Sequence, residues 1–198
     1  MTAIVFDIGN VLVKWDPHLA WAEDLGSREA ADAFLRRTDF FTRNLRGDKG
    51  ERWADMAQEL EAEDDRRLLA SYPDRFALTV QEKNSGSWDL LHRLKGQGRP
   101  VHAITNWSAE TWPVGVSVHP ELGEVFGTTI VSGTVRSLKP EPEIFAHLCG
   151  DAGVAARDCV FIDDSRNNVA GAQAFGMDAI HFTSPEALER ALAERELL

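Results

Sequence analysis

Five short apolar runs recur along the chain, at residues 3–6, 101–104, 128–131, 160–162 and 179–182. They are rich in β-branched and aromatic side chains and nearly continuous rather than alternating. A strand buried on both faces reads this way, as in a parallel sheet covered by helices on each side. The segments between them carry helical signals. Trp88, Leu90, Leu91 and Leu94 give residues 88–95 an apolar side, and Gly96 and Gly98 follow as a stop. Residues 142–149 open with Pro142, which suits a first helical turn. Residues 168–175 end at Gly176, a C-terminal cap, and Ser184-Pro185 opens a last helix. Strands alternating with helices predict an α/β doubly wound parallel sheet.

Residues 16–83 depart from this alternation. No strand pattern occurs there, and the periodicity predicts helices over 17–25, 27–37, 49–61 and 64–70. The simplest organisation is a sheet domain formed by residues 1–15 and 84–198, with a small helical domain, 16–83, inserted after the first strand.

Composition narrows the partners. The chain has 198 residues, 43% of them hydrophobic, enough for one sizeable core and a small insertion. A formal net charge of -11 argues against nucleic acid and anionic membrane as partners, both of which favour basic surfaces. It leaves room for an anionic small molecule, because a bound metal can reverse the field inside one cleft. Cys149 and Cys159 form no C-x-x-C pair and are expected as free thiols. No signal peptide and no run of roughly 18 apolar residues is seen. A cytoplasmic monomer or small homo-oligomer is expected.

Polar residues cluster where strands end. Asp7 follows the first run, Thr105-Asn106 the second, and Asp163-Asp164 the fourth. Ligands of open parallel sheets bind outside the carboxyl ends of the strands, so these clusters should converge. Lys139 can join them from a nearby loop. The set is chemically coherent: a carboxylate can attack phosphorus to form an acyl-phosphate, splitting hydrolysis into two steps. Mg²⁺ held by carboxylates and a carbonyl would offset charge repulsion, and Thr105, Asn106 and Lys139 could bind phosphoryl oxygens.

With these residues in view, the chain resembles the haloacid dehalogenase superfamily. Phe6-Asp7-Ile8-Gly9-Asn10-Val11-Leu12 looks like its first motif, and Ile104-Thr105-Asn106 like its second. Leu138-Lys139-Pro140-Glu141-Pro142 looks like the third, and residues 161–168, with Asp163, Asp164 and Asn168, like the fourth. The resemblance implies a Rossmann-like core with a small helical cap at 16–83. It implies Asp7 as nucleophile, Thr105 and Asn106 as phosphate-binding residues, and Lys139 as the basic residue. It further implies Mg²⁺ on Asp7, the Gly9 carbonyl, Asp164 and Asp163, with Asn168 orienting the loop.

One position departs from the pattern. Family phosphatases usually carry a second Asp two residues after the nucleophile as general acid and base, and this chain has Gly9. Such help is typically worth about 10²- to 10⁴-fold, so good leaving groups are expected to be favoured. The D-[IL]-G-N-V form of the motif resembles a subgroup related to glucose-1-phosphate phosphatase. The expectation is therefore a Mg²⁺-dependent phosphatase of a small phosphorylated metabolite, with a sugar phosphate as the candidate class. The alternatives are a 2-haloacid dehalogenase, against which Asp163-Asp164 speaks, and a weakened member that binds phosphate without turnover. Trp15, Trp107 and Trp112 could stack on a sugar but more simply serve packing. His18, Asp16, Arg43 and Arg46 are candidate contacts whose simpler reading is a solvated surface.

Overall fold

The computed structural model describes all 198 residues. The apolar runs form β1 (Ala3–Phe6), β2 (Val101–Thr105), β3 (Thr129–Val131), β4 (Cys159–Asp163) and β5 (Asp178–His181). The helices are α1 (Arg28–Arg37), α2 (Phe40–Asp48), α3 (Trp53–Ala57), α4 (Glu63–Ala70), α5 (Tyr72–Thr79), α6 (Ser85–Gly96), α7 (Trp112–Val118), α8 (Ser132–Val135), α9 (Pro142–Ala152), α10 (Arg166–Phe175) and α11 (Pro185–Ala193). The strands make one sheet in the order β3-β2-β1-β4-β5, with every neighbouring pair parallel. This is the expected α/β architecture.

The burial of β1 follows from its central place. Ile4 lies opposite Val101 on one side and Val160 on the other. Ala3 and Val5 pack into a cluster with Ile144, Phe145 and Leu148 of α9 and Val169 of α10. Ile4 and Phe6 pack on the other face with Leu91 and Leu94 of α6 and Leu188 of α11. Two apolar faces explain why the strand sequence shows no polar alternation. The expected caps also form: Ser184 Oγ accepts the Ala187 N–H at 3.2 Å, and Gly176 ends α10 with φ 104°.

Residues 16–83 are helical, but not with the expected boundaries. The helix expected at 17–25 is a short 3₁₀ turn, Pro17–Ala20, followed by turns. The helix expected at 49–61 is reduced to α3. Gly50, at φ 97°, breaks the chain there and leaves α2 upstream, which the pattern missed. The periodicity also missed α5, whose Pro73 sits in its first turn, where proline is tolerated. Trp21, Phe34, Phe40, Trp53 and Tyr72 form the interior here, with the Trp53 and Tyr72 rings 4.4 Å apart. The same buried cluster continues to the sheet through Phe76, whose ring centre lies 5.2 Å from that of Trp107.

The chain leaves and re-enters the sheet along adjoining paths. The Lys14 N–H donates to the Glu82 carbonyl and the Asn84 N–H to the Leu12 carbonyl, each at 2.8 Å. No helix is long and apolar enough to cross a membrane.

Candidate active site

Because all five strands are parallel, their carboxyl ends share one edge of the sheet. Asp7 follows β1, Thr105 ends β2 and Asp163 ends β4, so three segments far apart in sequence meet there. Lys139 arrives in the loop between α8 and α9. That loop is held close by α10: a Cβ on Gly171 would collide with Pro140.

Lys139 organises the centre. Its side chain is 1% exposed, and Nζ lies 2.7 Å from Asp7 Oδ1 and 2.7 Å from Asp163 Oδ2. Its third bond goes to the Ile104 carbonyl at 3.1 Å. An ammonium has three N–H groups, so all are satisfied. Asn106 fixes the lysine's backbone: Lys139 N–H donates to Asn106 Oδ1 at 2.9 Å, and Asn106 Nδ2 donates to the Lys139 carbonyl at 3.1 Å. The Asn106 carboxamide is thus engaged by the loop rather than presented freely to a ligand. Thr105 lines the cavity with Asp7 and Lys139, as the motif suggested.

The two acidic residues of the fourth motif differ in their freedom. Asp163 is fully buried. It accepts hydrogen bonds from Ser165 N–H at 2.8 Å, Asn168 Nδ2 at 3.0 Å and Lys139 Nζ at 2.7 Å. Asp164 receives Asn10 Nδ2 at 3.2 Å and opens onto the cavity. Asn10 holds a left-handed φ of 57°, which asparagine tolerates. Asn168, expected to orient the loop, bonds both oxygens of Asp163.

The electrostatics suit a divalent cation. Carboxylate oxygens of Asp7, Asp163 and Asp164 all lie within 4.8 Å of one another. Only the Lys139 ammonium offsets them at hydrogen-bond distance, which leaves the cluster negative. Burial, then Asp163 and Asp164, push Asp7 up to about 7, with Lys139 opposing. Burial and the neighbouring Asp163 also raise Asp164. Burial works against the Lys139 ammonium, but Asp163 and Asp7 outweigh it and hold its pKa above the ordinary lysine value. Gly9 borders the cavity, and a Cβ there would meet nothing within 4 Å. The donor set, carboxylates with an exposed stretch of backbone, is of the hard-oxygen kind that Mg²⁺ prefers.

The cavity has a volume of about 180 Å³. One wall was not foreseen from sequence: Asn44 and Asp48 of α2 line the cavity together with the residues of the sheet edge. Trp15 and Trp107 also line it. Trp15 donates Nε1 to the Tyr72 hydroxyl at 3.0 Å, and Trp107 packs on Trp112. Arg43 and Arg46 are not among the lining residues; both are paired with Glu59. His18 and Asp16 bond each other and Arg28 beside a separate outer depression. Cys149 and Cys159 are free thiols, both raised in pKa chiefly by burial.

The chain is 32% identical over 109 residues to a sesquiterpene phosphatase of Aspergillus oryzae, covering 55% of this chain and 54% of that one. It is 23% identical over 203 residues to a phosphoglycolate phosphatase of Escherichia coli, covering 91% and 80%. The chain spans about half the length of several such relatives. Its fold matches a magnesium complex of a haloacid dehalogenase family enzyme from Bacteroides thetaiotaomicron. The TM-score is 0.72 at 22% identity, covering 93% of this chain and 94% of that one. The pattern of the haloacid dehalogenase-like hydrolases itself matches residues 1–176, so the protein belongs to that family.

Proposed function

We propose that the protein is a Mg²⁺-dependent phosphomonoesterase acting on a small phosphorylated metabolite, with Asp7 as the nucleophile. The observation that carries this reading is Lys139 Nζ, 2.7 Å from Asp7 and 2.7 Å from Asp163, beside the half-buried Asp164. In this reading Asp7 attacks phosphorus in line with the departing ester oxygen, forming an aspartyl-phosphate. The Thr105 hydroxyl donates to a phosphoryl oxygen, and Lys139 balances charge on the nucleophile and the transferred group. Asp163 and Asn168 hold Lys139 in place, and Asn106 holds its backbone. Asp7, the Gly9 carbonyl and Asp164, with Asp163 behind them, would hold Mg²⁺. When bound, it would lower the repulsion between the phosphate dianion and Asp7.

Residues 16–83 act as a cap that closes the pocket and selects the substrate, over a core of residues 1–15 and 84–198. The first motif, Asp7-Ile8-Gly9-Asn10-Val11, favours sugar phosphates as the substrate class. We place it in the cytoplasm as a monomer or small homo-oligomer, and the net charge of -11 argues against nucleic-acid and anionic-membrane partners. Asp164 argues against a dehalogenase, since halide displacement needs no metal ligand.

The test is phosphate release from an aryl phosphate and a sugar-phosphate panel, with and without Mg²⁺, beside 2-haloacids as controls. Asp7→Asn is expected to abolish release. Chloride release from haloacids without Mg²⁺, with no phosphate release, would overturn the reading.

A further inference from the structure

The phosphatase reading leaves one proton without a donor. An alkoxide must be protonated as its P–O bond breaks, and position 9 carries no side chain to do it. We propose that Asp48, at the end of α2, is the general acid and base of this site, a proposal that rests on the phosphatase reading above.

Its location fits the task. Asp48 lines the same cavity as Asp7 and is 4% exposed. It comes from the helical segment, whereas Asp7 sits at the sheet edge. In-line displacement puts the attacking and leaving oxygens on opposite sides of phosphorus. With no acid at position 9, another cavity wall must supply a group that reaches the leaving oxygen, and α2, which lines the cavity with Asp48, is such a wall.

Asp48 is also held in place. Asn44, one turn earlier, donates Nδ2 to Asp48 Oδ2 at 2.8 Å. The next residue, Lys49, reaches Glu141 Oε1 at 2.6 Å. Glu141 Oε2 in turn accepts from Ser137 Oγ at 3.1 Å and Leu138 N–H at 3.2 Å. The end of α2 is thereby tied to the loop that carries Lys139.

The surroundings favour the protonated form. Burial, the largest influence, raises the Asp48 pKa well above the ordinary carboxyl range, and Lys139, Asn44 and the Ser108 N–H oppose it. Tyr72 of α5 lies close enough to feel the Asp48 charge, and Arg136, after α8, packs beside Gly50. Asp7 and Asp164 share the cavity and add negative charge. A carboxyl group whose pKa is raised by burial is better placed to act as an acid.

The steps balance. As the Asp7 Oδ–P bond forms and the P–OR bond breaks, Asp48 Oδ1 gives its proton to the leaving oxygen, releasing the alcohol. The Asp48 carboxylate then accepts a proton from water as the water oxygen attacks phosphorus. The P–O bond to Asp7 breaks, inorganic phosphate leaves, and Asp48 is protonated again.

The test uses the full chain with Mg²⁺ and two esters, 4-nitrophenyl phosphate and propyl phosphate. Asp48→Asn is expected to lower kcat/KM on propyl phosphate by about 10²-fold or more, and by at least about tenfold less on the nitrophenyl ester, whose leaving group needs little protonation. It should also produce a burst of nitrophenolate stoichiometric with enzyme, because water attack then lacks its base. Gly9→Asp in the Asp48→Asn background should recover propyl phosphate hydrolysis, which a merely misfolded variant could not do. Equal losses on both esters, or a raised KM with kcat unchanged, would overturn the proposal alone. No phosphate release from either ester by the wild type would overturn the phosphatase reading and the proposal with it.

Discussion

Lys139→Met isolates the interaction at the centre of the site. The ammonium contacts two carboxylates at 2.7 Å each, one of them fully buried and the other nearly so. Methionine keeps the apolar stem and removes the charge, leaving Asp7 and Asp163 facing each other without a counter-ion. Breaking a buried ion pair by removing one partner costs about 3–5 kcal/mol. With a urea m-value of about 2 kcal/mol/M, the unfolding midpoint should fall by about 1.5–2.5 M. EDTA is included so that no divalent cation supplies the missing charge.

The loss depends on pH, and its sign follows from Asp7. Its folded-state pKa is already raised to about 7 by burial, against the opposing pull of Lys139. A carboxyl group whose pKa is raised on folding favours the folded state at low pH and disfavours it as pH rises through the folded pKa. Without Lys139 that pKa moves higher still. The destabilisation should therefore be smaller near pH 5, where Asp7 is protonated and only Asp163 loses its counter-ion, and grow as pH rises through 7. Asp7→Asn added to Lys139→Met should recover part of it by removing one uncompensated charge. A single-variant loss under about 1 kcal/mol at pH 8, the range of an exposed pair, or a loss equal at pH 5 and pH 8, would refute this account.

Two further outcomes follow from the same geometry. Mg²⁺ should raise the thermal midpoint of the wild type in a concentration-dependent way, by about 2.7 kcal/mol of stability at a hundred times Kd; Asp164→Asn should remove most of this gain in a calorimetric titration. Asn106→Ala deletes two hydrogen bonds to the Lys139 backbone, each worth about 0.5–1.5 kcal/mol. It should cost about 1–3 kcal/mol in urea unfolding and lower kcat on an aryl phosphate more than it raises KM.

The sheet and its reactive edge were legible in the order of residues alone. Unbroken apolar runs such as residues 3–6 suit strands buried on two faces of a parallel sheet, although the pattern does not rank them, since the runs that form β3 and β5 lie at the sheet's edges. Asp7, Thr105 and Asp163 follow such runs directly, so their convergence at the strands' carboxyl ends needs only the parallel topology. What those residues do to one another depends on how the folded chain packs them. Nothing local to Lys139 indicates that its three N–H groups meet Asp7, Asp163 and the Ile104 carbonyl, since those partners lie 24 or more residues away. Nor does the pattern around Asn106 reveal that its carboxamide serves the Lys139 backbone. The helical segment was least legible, because amphipathic periodicity cannot place a break such as Gly50, whose left-handed backbone sets where α2 ends. Asp48 was invisible for the same reason. In sequence it is one acidic residue among many, and its meaning comes from being buried in a cavity that another part of the chain supplies.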